Sequence, residues 1–278
     1  MSENNLGKLF LTGKSGTIGK HFLKHSDSTF FDVTNRNDAE KWFKERDLLG
    51  ATFLHLAAIV GESQVSLDLE RAKQVNVTGS INVAKLALQQ GVKHFFFAST
   101  SHIYKPSASA IGEEHEKSPQ NNYAQTKFEA ENALLEIFKD DADKLVILRI
   151  FSILDYGTAG HTLGGKVTEG IKNQRKILIN CALDRRDFLT PRTVSSAIKY
   201  CIQSNLAGGI YNICSGEPRT VKEAVEQMLV TANIKPNFFE FESKHSHSPE
   251  ILGNNSKIIN VVPGIESLLK WELTVPKF

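Results

Sequence analysis

Lys8 to Leu23 reads KLFLTGKSGTIGKHFL, and the order of its parts decides the fold. Lys8 to Thr12 is a short apolar run that suits a strand; it stops at Gly13-Lys-Ser-Gly16-Thr-Ile-Gly19, and Ile18, Phe22 and Leu23 then follow a helical pattern. A strand, a glycine turn and a helix in that order describe the start of a dinucleotide-binding unit. Glycines let the backbone approach a pyrophosphate, which rests on the helix N-terminus. The spacing is Gly-x-x-Gly-x-x-Gly, and Gly13, Ser15, Gly16, Thr17, Ile18 and Gly19 are its candidate cofactor-binding residues. Gly13-Lys14-Ser15 also ends like a P-loop. That reading fails on spacing, because Gly7 lies one residue too far back and the residues between read as strand.

The rest of the first half extends this start. In a dinucleotide fold a second strand ends in a residue that chooses between a ribose hydroxyl and a 2′-phosphate, some 20 residues on. Only Ser26 to Asp32 is available for it. Either Phe30-Phe31-Asp32 is an abbreviated second strand, or Asp32-Val33 belongs to a later loop that touches adenine. Asp32 favours NAD, whereas Lys14 and Arg36 could hold a phosphate and favour NADP, so the choice of cofactor stays open. Ala39 to Leu48 reads as helix, and Ala51 to Leu56 as a strand ending in the small residues Ala57 and Ala58, against which a cofactor can lie. His55 is expected to be structural rather than a base or metal ligand. Leu69 to Gln90 is a long helical pattern stopped by Gly91, and Gly79 within it implies close packing against the sheet.

Phe95 to Lys127, FFFASTSHIYKPSASAIGEEHEKSPQNNYAQTK, carries the chemistry. Phe95 to Phe97 suits a buried strand, Ser99, Thr100 and Ser101 follow where it leaves the sheet, and a polar loop leads to Tyr123. With Asn121 or Asn122 as cap, Tyr123 and Lys127 stand four apart on one helical face. A nearby ammonium is expected to pull the phenol below its usual value of about 10, and Thr100 could hold the substrate oxygen whose proton moves. The helix continues from Phe128 to Phe138, and Lys144 to Phe151 is another buried strand. Strands alternating with helices at these intervals imply an α/β fold with a doubly wound parallel sheet, the hydroxyl cluster and cofactor meeting at the strands' carboxyl ends.

After Asp155 the character changes. Gly-rich Tyr156 to Gly165 precedes helical Val167 to Asn173, a strand at Lys176 to Ile179, helix Val194 to Gln203, strand Gly209 to Ile213 and helix Val221 to Ala232. His245-Ser-His247 lacks a carboxylate or cysteine cluster and reads as a solvated loop rather than a metal pair.

Composition excludes several classes. The 278 residues are 41% hydrophobic and 23% charged, enough for a well-formed core, and the formal net charge is only +2. With no run of like charges, neither nucleic acid nor a membrane surface is indicated. No stretch is long and apolar enough to span a bilayer, polar Met1 to Lys8 does not suit a signal peptide, and three cysteines without paired spacing fit a reducing cytoplasm.

The chain resembles an extended short-chain dehydrogenase/reductase of the NAD-dependent epimerase/dehydratase family. The resemblance rests on Thr12 to Gly19, His55-Leu-Ala-Ala58, Asn76-Val-Thr-Gly79, Ser99 to Tyr104, Tyr123-Ala-Gln-Thr-Lys127, Arg186-Asp-Phe188 and Tyr211 to Pro218, in the family's order. It implies a Rossmann-type NAD(P)-binding domain over residues 1–155 and a mainly substrate-binding region over 156–278, with 186–213 returning to the first sheet. It also implies that Thr100, Tyr123 and Lys127 are catalytic, the last two also binding cofactor with Asp32, Val33, Leu56, Ala57, Ala58 and Asn76. Thr100, Ser101, Ser152 and Arg186 become candidate substrate contacts. Arg186 matches an arginine that clamps a sugar nucleotide's diphosphate, although it could instead pair with Asp184 or Asp187.

The expected activity is hydride transfer at a carbon of a nucleotide sugar with NAD or NADP, as a 4-ketosugar reductase or as a 4-epimerase that retains NAD. A homodimer is implied by the same resemblance. Relatives that remove water carry Asp-Glu after the catalytic Thr; Ser101-His102 stands there instead and speaks against dehydration. Ser152 and Thr193 replace a family asparagine and aspartate. A non-catalytic NAD(P)-binding sensor is the reading from another class.

Overall fold

The computed structural model describes residues 6–22, 31–235, 239–242 and 250–276. β1 (Leu9–Thr12), β2 (Thr52–His55), β3 (His94–Thr100), β5 (Leu145–Ile150) and β10 (Gly209–Ile213) form one parallel sheet in the order β1-β2-β3-β5-β10. Successive side chains of a strand point to opposite faces, and the apolar residues divide accordingly. Leu9, Leu11, Leu54, Phe96, Val146 and Leu148 pack on one side with α7 (Pro191–Gln203). Phe10, Phe53, Phe95, Phe97, Leu145 and Ile147 pack on the other, with α1 (Arg36–Lys44), α4 (Ser80–Gln89) and α5 (Asn122–Ile137). Apolar residues on both faces, rather than alternating polarity, are what a sheet covered twice requires.

Caps explain where the helices start. Asn35 accepts hydrogen bonds from Asn37 N and Asp38 N, so α1 begins at Arg36, three residues before the apolar pattern suggests. Asn121, rather than Asn122, caps α5, its side chain accepting from Ala124 N at 2.8 Å. Asn121→Ala is expected to cost about 1 kcal/mol, read as a lower urea midpoint with unchanged slope.

One open alternative closes and three expectations change. Among the described residues no strand lies between β1 and β2 in sequence. Phe31 and Asp32 lead into a turn in which Asp32 Oδ1 accepts from Thr34 N and Oγ1 at 2.9 and 2.7 Å, which places Asp32-Val33 in a loop; Phe30 lies outside the described residues. The turn after Gly16 is a 3-10 turn, Gly19–Phe22, and Leu23 too is outside them. Gly79 packs against that loop, not the sheet, since a Cβ there would stand 2.9 Å from Val33 Cγ2. The long helical pattern is α3 (Leu69–Lys73), a π-helical segment (Gln74–Gly79) and α4, so the widened turn falls on Asn76.

A second lobe sits at the carboxyl ends of the strands. β11 (Arg219–Thr220), β8 (Arg185–Arg186), β13 (Ile251–Gly253) and β4 (Ser107–Ile111) form a small sheet. β6 (Ser152–Ile153) pairs with β9 (Phe188–Leu189), and β7 (Ile177–Ile179) with β12 (Phe239–Phe241). α6 (Leu163–Asn173) and α8 (Val221–Thr231) pack there, with Val167, Val225 and Trp271 in a shared core, while α9 (Ser256–Val261) returns to the main one. β4 arises from the stretch expected as polar loop. Its SASAI sequence has only Ile111 buried, and pairing with β13 holds it. His245 and His247 are outside the described residues, among which no helix is long and apolar enough to cross a membrane.

Candidate active site

Gly13 has φ +73°, and a Cβ on it would stand 2.6 Å from Leu56 C and Ala57 N; one on Gly19 would lie 2.1 Å from Gly13 O. The turn is therefore folded onto the end of β2, with Ser15, Gly16 and Thr17 exposed. This is a cradle that a backbone-held pyrophosphate fits, and it brings Gly13 to Gly19 together with Leu56 and Ala57, Ala58 following next in the chain. Gly13→Ala combines a left-handed conformation costing about 1–2 kcal/mol with backbone overlap. Its expected result is a dinucleotide Kd raised by at least about tenfold, read by NADH and NADPH fluorescence titration.

A buried hydrogen-bond chain braces the cradle. The network assigns Thr12 Oγ1 as donor to His55 Nδ1 (2.7 Å), His55 Nε2 as donor to Ser80 Oγ (2.9 Å) and Ser80 Oγ as donor to Asn76 O (2.7 Å). Thr12 Oγ1 also accepts from Ala57 N. Burial, then the charge of Lys127, drives His55 down to about 3, so it is a neutral structural link. Asn76 spends its side chain on Ile59, accepting from its N at 2.8 Å and donating to its O at 2.9 Å, and donates also to Thr126 Oγ1. It ties the loop after β2 to α5. Val33 is buried and Asp32 exposed on their own loop.

The hydroxyl cluster forms where β3 meets α5. Thr100 caps the turn Ser101–Ile103 by accepting from His102 N, and the first turn of α5 sets Tyr123 within hydrogen-bonding reach of the Thr100 hydroxyl. One turn on, Lys127 is only 2% exposed, its Nζ 4.0 Å from the centre of the Phe97 ring. Here the expected electrostatics are corrected. Burial pushes Tyr123 up to about 12 against the pull of the Thr100 hydrogen bond, and burial brings Lys127 down to about 7 against the pull of Glu131. Desolvation opposes charge on both groups, so the phenol is held protonated and the amine titrates near neutrality.

Behind this pair lies a polar network that the sequence reading missed. Arg149 opposes Ser99 across β3 and β5, and its Nε and Nη2 donate to the Glu131 carboxylate, at 2.8 Å for Nη2 to Oε2. Nη1 donates to Tyr104 Oη and Glu113 O, both at 3.0 Å; Tyr104 Oη donates to Asn212 Oδ1, and Asn212 N to Glu113 Oε1. Two signals could have found it: an arginine inside the apolar run LVILRIF, which needs a buried partner, and a glutamate four residues after Lys127 on the same face. Glu62, which opens the short helix α2 (Glu62–Val65), was also missed; its Oε2 accepts from Tyr123 N at 3.3 Å.

The second lobe brings up Arg186. Its Nη2 is 3.6 Å from Asp184 Oδ2, a loose contact. Asp187 is not its partner, because that carboxylate accepts from Ser215 N, Ser215 Oγ and Gly216 N. Those bonds explain why Arg-Asp-Phe and Ser-Gly-Glu-Pro occur together. Ser152 donates its N to Asp187 O beside this junction, Ser101 is buried, and Thr193 Oγ1 donates to Lys270 O in a structural role.

The architecture matches solved structures throughout. The structure of RMD from Pseudomonas aeruginosa complexed with NADPH superposes with a TM-score of 0.78 at 20% identity, covering 94% of this chain and 97% of that one. UDP-glucose 4-epimerase from Thermus thermophilus, in complex with NAD, gives 0.77 at 19% identity over 95% and 98%. By sequence, the chain is 26% identical to GDP-6-deoxy-D-mannose reductase of Pseudomonas aeruginosa over 82% of its length and 81% of the relative's. It is 26% identical to UDP-glucose 4-epimerase of Rhizobium meliloti over 94% and 92%. The model of the NAD dependent epimerase/dehydratase family matches residues 23–214, well over half of the chain, and the protein belongs to that family.

Proposed function

We propose that this enzyme catalyses NAD(P)-dependent hydride transfer at a carbon of a nucleotide-activated sugar, in the direction of a 4-ketosugar reductase. The observation that carries the reading is the placement of Tyr123, in the first turn of α5, within reach of the hydroxyl of Thr100 at the carboxyl end of β3. Gly13 to Gly19 and Leu56 to Ala58 would hold the dinucleotide, which when bound supplies the hydride.

The chain's own groups do the rest. The Thr100 hydroxyl holds the substrate's carbonyl oxygen, and Tyr123 gives that oxygen a proton as negative charge develops on it. Lys127, titrating near neutrality, restores the phenol's proton between turnovers. Arg186 offers a planar fork of donors to the diphosphate of the sugar nucleotide, with only a loose contact to Asp184 to give up. Similarity to UDP-glucose 4-epimerases supports 4-epimerisation with retained NAD as a second reading. The match to GDP-6-deoxy-D-mannose reductase over 82% of the chain supports reduction as the first reading. A homodimer, on the family resemblance alone, and a cytoplasmic setting, on three free cysteines, complete the reading.

A panel of nucleotide 4-ketosugars and nucleotide hexoses, assayed with NADH and NADPH, tests it. The expected result is cofactor oxidation with a ketosugar. Interconversion of hexoses without net cofactor change would replace reductase by epimerase, and no turnover on any member would favour the sensor.

A further inference from the structure

The backbone of Tyr123 is held on both sides by the stretch of chain that follows β2. At the carbonyl, Thr126 Oγ1 donates to Tyr123 O at 2.8 Å and accepts from Asn76 Nδ2, and the Asn76 side chain also bonds Ile59 N and O. At the nitrogen, Glu62 Oε2 accepts from Tyr123 N at 3.3 Å. The half-buried Glu62 carboxylate is itself fixed. Ser66 Oγ, four residues on, donates to Glu62 Oε1, and Asn122 Nδ2 donates to Ser66 Oγ at 3.4 Å. α2 and the first turn of α5 are thus locked together by side chains from each.

The first N–H groups of a helix have no partner within it. Asn121 takes that of Ala124, and Glu62 takes that of Tyr123, where a carboxylate also meets the positive end of the helix dipole. The Glu62 bond thus falls on the residue that moves the proton. It comes from the stretch that opens with Leu56 and Ala57, against which the glycine turn is folded, so one piece of chain touches both the cradle and the acid. We propose that Glu62 is a positioning residue that, by holding the N–H of Tyr123, keeps the phenol aligned with Thr100 and the dinucleotide cradle. The inference rests on the proposed proton transfer by Tyr123 and adds the group that aligns it.

The test measures kcat and KM for a nucleotide 4-ketosugar, and the NADPH Kd, for Glu62→Ala and Glu62→Gln, each made in the parent and in Tyr123→Phe. Glu62→Ala should lower kcat by about tenfold and leave KM and the NADPH Kd within about twofold, the pattern of a misaligned reacting group rather than of lost binding. Glu62→Gln, whose side-chain oxygen can still accept from Tyr123 N, should stay within about threefold of the parent. In Tyr123→Phe, Glu62→Ala should change the residual rate by less than about twofold, because residues that act through one another do not add. A purely structural role predicts otherwise, lowering the residual rate as much as the parental one. That outcome, an unchanged kcat in Glu62→Ala, or a glutamine variant as slow as the alanine one would overturn the inference alone. A parent that turns over no nucleotide sugar, or a Tyr123→Phe as active as the parent, would overturn the proposed proton transfer and the inference with it.

Discussion

Tyr123→Phe is expected to lower kcat by about 10³-fold while leaving dinucleotide affinity within about twofold, the size of effect typical of losing a positioned acid. The substitution removes one oxygen and keeps the ring, so the packing of α5 against β3 is undisturbed. Among the groups that shift the phenol only Thr100 does so by a hydrogen bond, and the Tyr123 side chain is only partly buried. Stability should change by under about 0.5 kcal/mol, as for a partly exposed site. Steady-state kinetics, cofactor fluorescence and a thermal melt on one preparation measure all three. Retention of more than about a tenth of parental turnover would remove Tyr123 from the chemistry, because general acid catalysis contributes at least about 10².

Lys127→Met has the second large effect, and it acts in opposite directions on activity and stability. Activity should fall by about 10²-fold or more, because the group that reloads the phenol is lost. The folded protein should become more stable at neutral pH. Burial lowers the amine from its ordinary 10.5 to about 7. Between those values the unfolded chain carries a proton that the folded chain has lost, so parental stability rises with pH across that window. Below about 7 both states are protonated, and the full desolvation penalty stands, on the order of a few kcal/mol. Methionine fills similar space without the charge and forfeits the contact of the ammonium with Phe97 and its attraction to Glu131, which burial outweighs. Melts from pH 6 to 10 should show a higher midpoint for the variant at pH 6–7 and a flatter pH dependence. A variant less stable than the parent at pH 7 would show that the amine is held by attraction that outweighs its burial.

How far the sequence reached depends on whether a feature is local. The three phenylalanines Phe95 to Phe97 announce a buried strand, Gly13 announces a turn that only glycine can make, and Asn121 announces a helix start; each is decided by residues within a few positions. β4 was not legible because SASAI has neither the apolar alternation nor the branched residues of a strand, and its partner β13 lies about 140 residues away. The loop at Asp32-Val33 was one of two readings until the turn at Thr34 and the approach of Val33 to Gly79 distinguished them. The balance at Tyr123 was read with the wrong sign. Spacing puts a lysine one turn from a tyrosine, but whether charge or desolvation dominates depends on the sheet, the π-helical segment and the loop after β2, which together close over both groups. Arg149 and Glu131 share that origin: each is visible alone as a charge in an apolar setting, and only the fold shows that they answer one another.

Incubation with a nucleotide 4-ketosugar and NAD(P)H deuterated at the transferable position of nicotinamide C4 tests hydride delivery to the sugar most directly. The predicted product carries one deuterium, at the carbon that bore the carbonyl and in a single configuration, and Tyr123→Phe makes it about 10³-fold more slowly. Sugar reduced without deuterium at that carbon, or cofactor left unoxidised by every ketosugar it meets, would contradict the account.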